Sequence, residues 1–299
     1  MATEDKKRAW THTALCLAAR DGNLDMAATL LEGLVVGTDD DDDDALEDAL
    51  CWAATNGHLA VVELLLERGA HARARDNAAL CSSAKNGHLA VVAALLAAGA
   101  EVHARDENAM RWAARNGHLA VAALLLERGA EVNAMDGDAL RWASSNGHVA
   151  VVELLLKHGA DVHASGDEAL RLASSYGHLA VVELLLAGGA EVHAVDDDAL
   201  RQASCNGHDA VVARLLERGA DVPYNVLAWA ANNGHAPVVA RLLAAGAEVC
   251  ARNDAAMQAA AANGHFDVVR QLLKRCGELH GHRVAAGERR RLRRGCQQC

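Results

Sequence analysis

Residues 138–163 read Asp138-Ala-Leu-Arg-Trp-Ala-Ser-Ser-Asn-Gly-His-Val-Ala-Val-Val-Glu-Leu-Leu-Leu-Lys-His-Gly-Ala-Asp-Val-His163, and the phrase returns along the chain. Its Gly-His pair recurs at 57–58, 87–88, 117–118, 147–148, 177–178, 207–208, 234–235 and 264–265, at a step of 30 residues broken once by a step of 27. A degenerate copy, Thr13-Ala-Leu-Cys-Leu-Ala-Ala-Arg-Asp-Gly-Asn-Leu-Asp25, precedes these and makes nine repeats. Self-similarity at a fixed period of this size is the mark of a repeat array.

Each repeat parses as two short helices. In the quoted copy the first runs from about Ala139 to Ser145, with Asp138 placed as an N-cap, and Asn146-Gly147 stops it. The second runs from about Val149 to Lys157, carries Val151, Val152, Leu154, Leu155 and Leu156, and ends at Gly159. Neither helix is long enough to hold alone in water. The apolar face of each repeat must therefore be buried by its neighbours, which a stacked solenoid achieves. Ala143, Ala173 and Ala203 recur at one place in the first helix, where a small side chain permits close packing.

Composition agrees. Apolar residues make up 52% of the 299, aromatics only 3%, and proline occurs twice. A β-sandwich or barrel draws more heavily on aromatic, β-branched and turn residues, so an all-α class is expected. Mean hydropathy is zero and no run of about 18 apolar residues occurs, so no membrane span is expected. The segment Met1 to Arg8 is charged and leads into no apolar stretch, which argues against a secretory signal. Eight scattered cysteines in a well-cored chain read as reduced thiols of a cytoplasmic protein.

The phrases Asn56-Gly-His-Leu-Ala-Val-Val-Glu-Leu-Leu-Leu-Glu-Arg-Gly-Ala70 and Gly129-Ala-Glu-Val-Asn-Ala134 resemble the ankyrin repeat, over roughly residues 13–275. The resemblance implies a solenoid of about nine helix-turn-helix repeats and non-catalytic binding of another protein. The common ankyrin repeat has three more residues and a Thr-Pro-Leu-His opening. Here the opening is Asp138-Ala-Leu-Arg141, so shortened finger loops are expected. The 30-residue form is similar to repeats in ankyrin proteins of giant DNA viruses and their protist hosts; a viral source would place the protein in host cytoplasm. The resemblance also implies that Asn133 could be hydroxylated as a substrate.

Four segments depart from the period. Residues 1–12 form a polar leader. An insertion at 37–48 contains Asp39 to Asp44 and reads as a solvated, self-repelling loop. At Ala220-Asp-Val-Pro223-Tyr224 three residues are missing, which predicts a tighter connection and a local kink. Residues 276–299 leave the repeat as a basic tail with Arg289, Arg290, Arg291, Arg293 and Arg294. From Lys274 onward the charge is near +6, against about −17 for the rest of a chain of net −11. Such a tail is disordered with no dedicated partner, or a nuclear import signal, or a nucleic-acid contact.

Little in the chain points to catalysis. Eight of the sixteen histidines belong to the Gly-His pairs. Neighbouring repeats lie about 8–10 Å apart, too far for equivalent histidines to share an ion at about 2.1 Å, so each is read as tying its own interhelical turn to backbone groups. His103, His163 and His193 stand where Asn133 retains the family residue and take the same structural reading. Cys296 and Cys299 with Cys276, His280 and His282 have zinc-like elements without a paired second motif, and no metal site is expected. Cys16, Cys51 and Cys81 read as small semi-buried residues. No phosphate-binding glycine loop is present. No cofactor and no enzyme activity are expected.

What remains is surface. The position after the repeat opening carries Trp52, Trp112, Trp142 and Trp229, four of the eight aromatic residues. These either fill space between first helices or form a binding row, tryptophan being favoured at hot spots. Arg111, Arg141, Arg171 and Arg201 form a second row, with Glu107, Asp138, Asp167 and Asp197 three or four residues earlier as local ion-pair partners. A third row includes Lys85 and Arg115, with Tyr176 standing where Asn is usual. The chain is expected to act as a monomeric scaffold that binds a protein through the concave face, using Trp52, Trp112, Trp142, Trp229, Arg111, Arg115, Arg141, Arg171, Arg201 and Tyr176. The alternatives are an adaptor linking a target to ubiquitin-ligase or nuclear-import machinery, and nucleic-acid association through the arginine tail.

Overall fold

The computed structural model describes residues 2–32, 40–249 and 255–277, with side chains described for 9–32, 44–249 and 255–277. The chain divides into two compact bodies, Met1–Ala164 and Ser165–Cys299, where the sequence pattern reads as one array. No strand occurs among the described residues, so the fold is an all-α repeat solenoid.

In the N-terminal body the helices are α1 (Ala2–Asp21), α2 (Leu24–Glu32), α3 (Asp40–Asn56), α4 (Leu59–Glu67), α5 (Ala74–Asn86), α6 (Leu89–Ala97), α7 (Ala104–Arg115), α8 (Leu119–Glu127), α9 (Ala134–Ser145) and α10 (Val149–Lys157). Odd-numbered helices pack on odd and even on even, forming two layers. The C-terminal body holds α11 (Ala164–Ser175), α12 (Leu179–Ala187), α13 (Ala194–Asn206), α14 (Asp209–Glu217), α15 (Val226–Asn232), α16 (Ala236–Ala244), α17 (Ala255–Ala262) and α18 (266–277). There α13, α15 and α17 stack in one layer, and α12, α14 and α16 in the other.

The core is a ladder at the repeat period. Leu50, Leu80, Met110 and Leu140 are buried in one body, Leu170, Leu200 and Leu227 in the other. Each such side chain contributes about 2 kcal/mol of transfer free energy. Ala143, Ala173 and Ala203 have no exposed surface, as the close packing of first helices requires.

Helix α1 runs from Ala2 through the polar leader. One expectation on local structure is corrected. The aspartate run is not a loop where it is described: Asp40–Asp44 forms the start of α3.

The shortened finger takes a specific form. Between repeats the chain passes through three successive left-handed residues: Arg75-Asp76-Asn77, Arg105-Asp106-Glu107, Met135-Asp136-Gly137, Ser165-Gly166-Asp167 and Val195-Asp196-Asp197. Right-handed helix resumes only after them, so Asp138 is not an N-cap; it opens the helix and faces arginines. A left-handed residue other than glycine costs roughly 1–2 kcal/mol. Backbone bonds across the turn offset part of that, as from Asn77 N–H to the Arg73 carbonyl at 3.2 Å. Where three residues are missing, Asp221–Asn225 makes the connection with no left-handed stretch, and α15 is shortened to seven residues.

Candidate partner-binding surface

The Gly-His pairs hold the stack together. His88 Nε2–H donates to the Thr55 carbonyl at 3.0 Å, His118 to Lys85 and His148 to Arg115, each at 2.9 Å. The pattern repeats in the second body from His208 to Ser175, His235 to Cys205 and His265 to Asn232. The acceptor lies on the preceding repeat, near the end of its first helix, where carbonyls lack helical partners. The histidine thus staples one repeat to the one before, instead of bracing its own turn as the sequence suggested. The asparagine of Asn-Gly-His often joins it: Asn86, Asn116, Asn206 and Asn233 donate to the same carbonyls. Tyr176 replaces that asparagine and is exposed, its ring stacked on His178 at 6.3 Å.

A second set of bonds joins the left-handed turns. Asn77 Oδ1 accepts from the Glu101 N–H at 2.7 Å, Asp167 from Glu191 at 2.8 Å and Asp197 from Asp221 at 3.0 Å. Gly137 has no side chain to do this. Asn133 substitutes, accepting from the Asp161 N–H at 2.8 Å and donating to the Gly159 carbonyl at 3.1 Å. Where histidine replaces Asn133, it pairs with the turn acid, His103 with Glu107 and His193 with Asp197.

The arginine row is paired differently from the sequence expectation. Arg111 does not meet Glu107; it reaches Asp138 of the next repeat at 2.5 Å, and Arg141 meets the same carboxylate from its own helix. Arg171 reaches Asp198 at 2.7 Å rather than Asp167, and Arg201 pairs with Asp198 rather than Asp197. Only the Arg141–Asp138 pairing is as expected. Asp138 and Asp198 thus each serve two arginines, and the local carboxylates Glu107, Asp167 and Asp197 bond within the turns instead.

The tryptophan row meets cations in the N-terminal body. Lys85 Nζ lies 4.6 Å from the Trp112 ring centre, and Arg115 lies 5.2 Å from Trp112 and 4.2 Å from Trp142. Arg141 lies 5.1 Å from the Trp142 ring centre. The order Lys85, Trp112, Arg115, Trp142, Arg141 forms one alternating stack across α5, α7 and α9. Arg141 is neutralised by Asp138. Lys85 and Arg115 have no ion-pair partner among the described residues. Trp52 and Trp229 stand apart, 47% and 50% exposed. The sequence set Lys85 in one row with Arg115 but did not bring that row to the tryptophans, which depends on how one first helix packs on the next. Nor did it mark exposed Trp10, which with Leu17 and Met26 lines a groove on the first repeat.

Three of the thiols sit in surroundings that disfavour the thiolate. Burial pushes Cys16 up to about 11, with nearby Asp48 adding to it, and burial likewise raises Cys51 and Cys81. Among the described residues two groups of side chains have metal-ligating composition, His12 with Cys16 and Asp48, and His193 with Asp197 and Asp221. The tail residues Arg289, Arg290, Arg291, Arg293 and Arg294 lie outside the described residues, as do Cys296 and Cys299. No helix among the described residues is long and apolar enough to cross a membrane.

No curated protein matches the chain. The family model described as ankyrin repeats (3 copies) matches at residues 2–76, 72–136, 136–196 and 198–281, nearly the whole length. Proteins of this kind are typically non-catalytic scaffolds whose repeats bind other proteins. With its period, its paired helices and its Gly-His staples, the chain belongs to the ankyrin-repeat family.

Proposed function

We propose that the protein is a non-catalytic binding scaffold that captures an acidic protein segment on the first-helix face of its N-terminal body. The observation that carries this reading is the stack of Lys85, Trp112, Arg115 and Trp142, with two cations held over indole faces and no carboxylate of the described chain to neutralise them. A guanidinium fixed over an aromatic ring loses little freedom when a carboxylate meets it. Indole rings beside it supply the desolvated apolar area typical of interface hot spots. Within an acidic chain, such a local cationic row also orients an acidic partner during encounter. The arginines satisfied by Asp138 and Asp198 are then framework that keeps the row in place.

The test is affinity capture from lysate of the source cell, with the captured protein identified and its affinity measured on the purified pair. The full chain is compared with a chain ending at residue 277, with Trp112→Ala/Trp142→Ala, and with Lys85→Glu/Arg115→Glu. The expected partner survives tail removal, loses at least about 30-fold in affinity with the tryptophan pair, and weakens as salt rises. Binding that needs the tail and ignores both double variants overturns the reading.

A further inference from the structure

The N-terminal helix carries a group of side chains that neither the stack nor the staples use. His12 and Cys16 are four residues apart on α1 and so share one face. Helix α3 packs against α1 and brings Asp48 to them. His12 Nε2 lies 3.1 Å from Asp48 Oδ2, and the imidazole, thiol and carboxylate donor atoms all fall within 4.8 Å of one another. We propose that His12, Cys16 and Asp48 bind a zinc-class divalent cation, which clasps the first helix of the chain to the first helix of the second repeat.

The geometry and the donor set both support this. Zinc bonds of about 2.0–2.3 Å in tetrahedral arrangement put neighbouring donors about 3.3–3.8 Å apart, so donors already within 4.8 Å of one another need only a small adjustment. One thiolate, one imidazole and one carboxylate suit zinc or cobalt, and select against magnesium and calcium, which take oxygen donors. The outer oxygen of Asp48 is held by Arg75, the kind of contact that orients a ligating carboxylate. All three residues are half-buried, so the fourth tetrahedral position opens to water. On binding, Cys16 releases its thiol proton to solvent, and His12 gives its Nε2 lone pair to the metal with its proton on Nδ1. The thiolate and carboxylate then balance the two positive charges. The second group, His193 with Asp197 and Asp221, makes no comparable case: Asp221 is almost fully exposed, and Asp197 already accepts a backbone N–H.

The test is a Co²⁺ titration of the full chain carrying Cys276→Ser, Cys296→Ser and Cys299→Ser, so that the C-terminal thiols cannot contribute. One equivalent should bind with a near-ultraviolet thiolate-to-cobalt band that Zn²⁺ abolishes. Cys16→Ser in that background should remove the band while the helical circular dichroism is kept, and Arg75→Gln should weaken binding about 10- to 100-fold. Should Cys16→Ser not fold, the part-exposed His12→Gln decides in the same way. Absence of the band at millimolar cobalt, or its persistence in Cys16→Ser or a folded His12→Gln, overturns the proposal.

Discussion

The ring of His88 rests on Gly57 of the preceding repeat: a Cβ built on Gly57 would sit 2.5 Å from His88 Nδ1. The same relation holds between Gly117 and His148, and between Gly207 and His235. Two residues adjacent in sequence are therefore coupled through different neighbours. In these pairs the glycine receives the next repeat's histidine, and the histidines of the Gly-His pairs reach back to the repeat before.

This separates two kinds of glycine. Gly117 and Gly129 both have positive φ, 75° and 94°, but a Cβ on Gly129 meets nothing within 4 Å. Gly129→Ala should cost only the left-handed penalty, about 1 kcal/mol. Gly117→Ala should cost at least about 2 kcal/mol, because the His148 ring must also move and its bond to Arg115 is lost. Denaturant unfolding of both variants checks this, and Gly117→Ala/His148→Ala should fall short of the summed single losses.

Asp138 sits 4% exposed between two guanidiniums. Removing it strands two partly buried positive charges, the costly way to break such a site. Because Arg111 and Arg141 keep some contact with water, the expected loss for Asp138→Asn is about 2 kcal/mol rather than the full buried-pair value. Denaturant midpoints of Asp138→Asn and Arg111→Met report it; Arg111→Met should be milder, since Asp138 retains Arg141.

The pKa of His103 is raised above its ordinary value, first by its hydrogen bond to Glu107 and then by that carboxylate's charge, with Glu131 and Glu101 adding to it. A group whose folded pKa lies above its unfolded one stabilises fully below the unfolded value, near 6.5, and loses that contribution as pH rises through the folded value. The stability difference between the chain and His103→Ala should therefore shrink from pH 6 to pH 8. It should lose most of its pH dependence in a Glu107→Gln background. Urea unfolding across that range, with nuclear magnetic resonance titration of the His103 ring, measures both.

Val195 is a β-branched residue held at φ 53° on an exposed turn. Left-handed backbone is most costly for this type of side chain. Val195→Gly should stabilise the C-terminal body by about 0.5–1 kcal/mol, the relief of strain exceeding glycine's added unfolded-state entropy. A lowered melting temperature for Val195→Gly would mean that the valine methyls pack more than the turn geometry implies.

The sequence on its own determined the architecture. A period of 30 residues, helix-length apolar runs and Gly-His punctuation leave a stack of helix pairs as the way to bury the apolar face of each repeat. The alanine positions that allow close packing, and the Arg141–Asp138 pair within one helical turn, follow from spacing alone. Tertiary structure decided the partners between repeats. Arg111 meeting Asp138, Asn133 covering for Gly137, Arg115 lying between Trp112 and Trp142, and Asp48 meeting His12 all depend on the register of one helix against another. In a repeat array every residue has near-identical copies one period away, so sequence spacing cannot choose among them. The left-handed turns were hidden for another reason: residues such as Val195 resist that conformation locally, and the backbone bonds and packing of adjacent repeats hold them in it.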